Sequence, residues 1–214
     1  MMPIGDDNSL RKRAPLMTYF LILLNVFFFF LELSGGEEFI KKWAFIPNRF
    51  LSDPTANIPT LFTAMFMHAG IAHLLGNMLY LWIFGDNIED RLGKISYLFF
   101  YLACGITATF TQLFFMPDSK VPNVGASGAI AGVLGAYIYL WPHGKVNVLV
   151  GYWMTEMSAL VVIGFWFFLQ FISGVGSLAS TTNEEGGVAY FAHIGGFVAG
   201  LVMVTIMNLK QKKP

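Results

Sequence analysis

Apolar residues gather in six blocks, at 17–31, 60–84, 95–115, 127–141, roughly 146–172 and 188–207, parted by short joints rich in charge, Gly and Pro. A helix needs about 20 such residues to cross the hydrocarbon of a bilayer, so each block is expected to be a span. The pattern predicts an all-α membrane protein, a bundle of six transmembrane helices in one domain covering 1–214. Tails at 1–16 and 209–214 flank a core of about 17–208. The longest joint, 32–59, carries charge, Pro and aromatic residues and is expected to be partly structured at the membrane surface.

Composition sharpens this. The chain is 56% hydrophobic and 12% charged, where an ordinary soluble domain is about 25% charged. Its formal net charge is zero, which gives no reason to expect nucleic acid as a partner; the bilayer is the expected one. Lys and Arg are spread unequally. With the N-terminus in the cytoplasm, nine of them (Arg11, Lys12, Arg13, Arg91, Lys94, Lys145, Lys210, Lys212 and Lys213) lie inside and four (Lys41, Lys42, Arg49 and Lys120) outside. Positive charge stays on the cytoplasmic side, so a multi-pass protein with both termini inside is expected. The single cysteine, Cys104, sits within an apolar block and excludes an internal disulfide.

Polar groups inside spans are costly and mark function. Four places carry them: HAGIAHLLGN with His68, His73 and Asn77, GASG with Ser127, Glu156 in the fifth block, and AHIGG with His193. His73 and Asn77, four apart, share a helix face. A metal site built on His68 and His73 is disfavoured, because their spacing is five and no acidic or thiol residue nearby in sequence completes a set. Glu156 is given no catalytic part, since Tyr152 and Trp153 can mark the inner interface beside it.

Depth ties three of these residues together. Counting down each helix to its inner boundary, Ser127 stands about 22 Å above Pro142, His193 about 25 Å above Lys210 and His73 about 20 Å above Asp86. All three fall in one layer a few ångströms below the outer surface. Gly128 and Gly132 on the fourth block, and Gly196 and Gly200 on the sixth, form small-xxx-small pairs that let helix backbones approach closely. Plain helix packing explains either pair alone. Together, at equal depth, they bring a serine hydroxyl and a histidine within reach, as a base-activated nucleophile requires.

With HAGIAHLLGN, GDNIEDRLG, GASG and AHIGG in this order from about residue 59 to 200, the sequence resembles the rhomboid family of intramembrane serine proteases in its minimal prokaryotic six-span form. The resemblance implies a rhomboid-like helical bundle in the cell membrane, with Ser127 as nucleophile and His193 as general base. It further implies that His73 and Asn77 stabilise the oxyanion, that Gly125 leaves room for the scissile peptide, and that no metal or cofactor takes part. The substrates would be single-span membrane proteins cut in or near the span; the alternative is a pseudoprotease that binds such clients without cutting them. Ala131 stands where some members carry Tyr beneath the histidine, and Trp43 is followed by Ala44 where some carry Arg. The segment TTNEEGGVAY, 181–190, reads equally as a movable cap or as a plain solvated loop.

Overall fold

The computed structural model describes residues 2–7, 9, 11–179 and 189–211. Its order is β1 (Met2–Asp6), α1 (Leu16–Trp43), α2 (Pro47–Ser52), α3 (Pro54–Asn57), α4 (Thr60–Thr63), a 3-10 turn (Ala64–Phe66), α5 (Ile71–Leu92), α6 (Lys94–Phe115), α7 (Ser127–Leu140), β2 (Lys145–Val150), β3 (Trp153–Ser158), α8 (Ala159–Ala179) and α9 (Tyr190–Gln211). Helix dominates, as the apolar blocks predict, and the helices enclose one large core. Among the described residues four helices, α1, α6, α8 and α9, are long and apolar enough to cross a membrane, and a fifth span results if the pair around the 77° bend between 54–66 and 71–92 counts as one.

The remaining block, α7, is a 14-residue helix, about 21 Å long, against about 30 Å of hydrocarbon. Its sequence has few large side chains, and every residue from Gly128 to Tyr137 is buried. A helix wrapped by others has no need to match the bilayer. Contact with α9 is made through main chain: a Cβ on Gly196 would lie 2.0 Å from the carbonyl oxygen of Gly128, and one on Gly200 2.0 Å from that of Gly132. Any side chain at these positions would part the helices.

The fifth block departs from expectation. Instead of a helix from about 146, residues 145–158 form a hairpin, which joins β1 in an antiparallel sheet of order β1-β2-β3. The cause lies in the alternation of Lys145-Val146-Asn147-Val148, a period of two that suits a sheet with one covered face. Val146 and Val148 are fully buried in the core, while Glu156 is exposed and pairs with Lys145 across the hairpin at 2.9 Å. The helical span begins only at Ala159.

The GDNIEDRLG segment serves to hold the chain together at this end. Glu89 accepts hydrogen bonds from the Met17 and Thr18 amides at 3.0 and 2.7 Å and from the Thr18 hydroxyl at 2.9 Å, capping the start of α1. Asp86 pairs with Arg11, and Asn87 donates to Asp6 at 2.7 Å. Gly93, at φ 81°, makes the corner between α5 and α6, a conformation that favours glycine.

Candidate active site

Ser127 is the first residue of α7 and follows Ala126, whose side chain gives no cap. The first-turn amides of a helix have no intrahelical partner, so here they are free to meet a ligand oxygen. His193 lies in the first turn of α9. The close contact of the two helices sets its Nε2 2.8 Å from Ser127 Oγ. The pair expected from depth and glycine spacing thus meets, with His193 buried and Ser127 half-buried.

His73 opens α5 at the same level. Its Nδ1 accepts from the Ala69 amide at 3.4 Å, which leaves the proton of the neutral ring on Nε2. That edge lies over Gly125: a Cβ there would stand 2.8 Å from His73 Cε1, 3.0 Å from its Nε2 and 3.5 Å from Ser127 Oγ. Gly125 also has φ 131°, in the region L side chains rarely adopt. Both conformation and space therefore demand glycine. Asn77, one turn along the same face of α5, is buried, and its Nδ2 has no hydrogen-bond partner among the described residues. A buried amide hydrogen left unpaired is uncommon in a finished core and is suited to a ligand.

His68 does not join this group through its ring nitrogens. Its amide donates to Glu32 at 2.9 Å, and its ring sits edge-to-face on His73 with centroids 5.2 Å apart, placing it as a support for His73. No three His, Cys, Asp or Glu side chains converge on a common point among the described residues. Of the segment 181–190, residues 181–188 lie outside the described residues.

Two contacts of His193 have no counterpart in the sequence reading. Gln170 Oε1 lies 2.7 Å from Nδ1, and the Trp166 ring lies 5.8 Å from the imidazole at 38°. Both come from α8. The signal for Gln170 was present: it is the only amide or charged side chain from 159 to 176.

Comparison with known proteins agrees with this architecture. The family described as the rhomboid domain matches residues 56–210. Rhomboid protease GluP of Bacillus subtilis is 31% identical over 92% of this chain and 36% of its own length. Rhomboid protein 1, mitochondrial, of Saccharomyces cerevisiae is 27% identical over 87% of this chain and 51% of its own. Rhomboid protease GlpG of Salmonella newport is 24% identical over 96% and 68% respectively. The chain thus spans about a third to a half of the first two relatives. It is a multi-pass helical membrane protein, and it belongs to the rhomboid family.

Proposed function

We propose that the protein is an intramembrane serine endopeptidase that cuts membrane-anchored proteins in or near a single transmembrane span. The observation that carries this is the 2.8 Å contact between Ser127 Oγ and His193 Nε2. His193 takes the hydroxyl proton as Oγ attacks the peptide carbonyl, forming a tetrahedral intermediate. It then gives that proton to the leaving amine, and the acyl group stays on Oγ. A water, deprotonated by the same nitrogen, releases it. The negative oxygen of the intermediate accepts hydrogen bonds from His73 Nε2–H, Asn77 Nδ2–H and the first-turn amides of α7. Gly125, without a side chain, admits the extended substrate backbone beside them.

A helix hides its own peptide bonds, so the cleaved segment must unwind. Substrates with helix-weakening residues near the outer end of the span fit a nucleophile at this depth. The uneven distribution of Lys and Arg along the sequence supports an orientation with both chain termini on the cytoplasmic side of the plasma membrane. The test is the purified protein in liposomes with a labelled single-span substrate, beside Ser127→Ala and His193→Ala. Fragments from the wild type alone, and labelling by a serine-directed fluorophosphonate that disappears in Ser127→Ala, are expected. Substrate bound without fragments would replace this reading with a client-binding role; labelling that persists in Ser127→Ala would move the nucleophile elsewhere.

A further inference from the structure

The work of His193 depends on which ring nitrogen holds the proton. To receive the hydrogen of Ser127, Nε2 must be bare, and the proton of the neutral ring must sit on Nδ1. That proton needs an acceptor. Gln170 Oε1 lies 2.7 Å away. Its helix is otherwise apolar from Ala159 to Gly176 apart from Ser173, and an amide in such a span is costly unless it is paired. Four residues before it, on the same face of α8, Trp166 leans on the ring. On the α7 side, the residue one turn after Ser127 is Ala131, buried and with no group that can hydrogen-bond to an imidazole. The ring is held by α8, at its edge by an amide and at its face by an indole.

The geometry points to Gln170 as a positioning residue for the proposed cleavage: its carbonyl holds the neutral imidazole of His193 in the Nδ1–H form and continues to accept from Nδ1 once Nε2 has taken the serine proton. The Nδ1 proton does not move during the reaction; only the Ser127 proton is transferred, first to Nε2 and then to the leaving amine. This inference rests on the reading of Ser127 and His193 as nucleophile and base. It adds a requirement for α8, because an α8 displaced from α9 leaves His193 without its acceptor even while Ser127 and His193 stay adjacent.

The experiment compares Gln170→Met, which keeps length and loses the acceptor, with Gln170→Glu, which keeps an acceptor; Gln170→Leu serves as a second acceptor-free variant if the Met protein does not fold. Gln170→Met is expected to lower kcat by on the order of 10- to 100-fold with KM unchanged, the range for losing one hydrogen bond to a group that becomes charged. Gln170→Glu is expected to restore kcat toward the wild type. With [15N]histidine in a chain of four histidines, the His193 signals of wild type and Gln170→Glu should show a protonated Nδ1, and those of Gln170→Met a loss of that state. Wild-type kcat in Gln170→Met, equal defects in the Met and Glu variants, or an unchanged nitrogen spectrum would each overturn the inference. His193→Ala, run alongside, separates the two readings. If it retains turnover, the base assignment itself fails; if it is inactive while Gln170→Met is not, only the role of Gln170 fails.

Discussion

Gly196→Ala tests the helix pair on which Ser127 and His193 are mounted. The added Cβ would lie 2.0 Å from the carbonyl oxygen of Gly128 and 2.9 Å from its carbon, both main chain, so no side chain can swing aside. A carbon and a carbonyl oxygen rest at about 3.3 Å, so α9 must retreat by about 1.3 Å. Gly196 is one turn from His193, and Gly128 adjoins Ser127. Carried across that turn, the displacement opens the 2.8 Å bond between the two side chains to about 4 Å, beyond hydrogen-bond reach. Loss of base assistance lowers the rate by about 10²- to 10⁴-fold, while overpacking costs about 1–3 kcal/mol of stability. The control is Gly164→Ala in α8, where a Cβ meets nothing within 4 Å, and where alanine is the better helix former by about 1 kcal/mol. Turnover of a single-span substrate in liposomes, with thermal melts of both variants, is the assay. Wild-type turnover and melting in Gly196→Ala, or an equal defect in Gly164→Ala, would refute the reasoning.

Asn77→Ala should slow turnover by about 10²- to 10³-fold, the effect of removing one oxyanion donor, with KM and melting temperature retained; a lower melting temperature with normal kcat would make Asn77 a structural amide instead. Glu89→Ala strips the partner from three donors at the start of α1 and should cost about 3 kcal/mol in a denaturation midpoint, part of it recovered in Glu89→Gln; an unmoved midpoint would sink the capping role. Burial pushes the Asp6 carboxyl, beside the Tyr137 hydroxyl at the β1 edge of the sheet, up from 3.8 to about 7. The folded chain therefore holds a proton that the unfolded chain releases, so stability is greatest below 3.8 and declines as pH rises to about 7. Asp6→Asn should flatten that part of the melting-temperature profile, and an identical slope in the variant would exclude Asp6 as its source.

What could be read from the sequence was whatever repeats with a helix period or depends on depth. Gly128, Gly132, Gly196 and Gly200 announced a close helix pair because their spacing of four has few other uses within a span. The common height of His73, Ser127 and His193 followed from rise per residue alone. The hairpin at 145–158 was hidden because Val146, Val148 and Val150 lie in a stretch apolar enough to pass for a span, and the alternation that marks a strand covers only six residues. The shortness of α7 was hidden likewise, since apolar content does not say whether a helix faces lipid or other helices. Gln170 and Trp166 reach His193 across a helix interface with no fixed relation in sequence. Glu89 and Asp86 stood in a motif that signals the family, yet their contacts with Thr18 and Arg11 link residues about 70 apart.

Chain order gives the pair a biosynthetic consequence. Ser127 is made 66 residues before His193, and at about 5–20 residues per second the interval is about 3 to 13 s. Throughout that time Ser127 is without the histidine it contacts in the folded chain, and the groove on α7 that Gly196 and Gly200 will fill is empty of α9. A nascent chain therefore enters a membrane crowded with other single spans carrying an unactivated hydroxyl. On the proposed mechanism, a chain halted before α9 holds a hydroxyl that cannot attack its neighbours, and the arrival of α9 is the step that supplies the base.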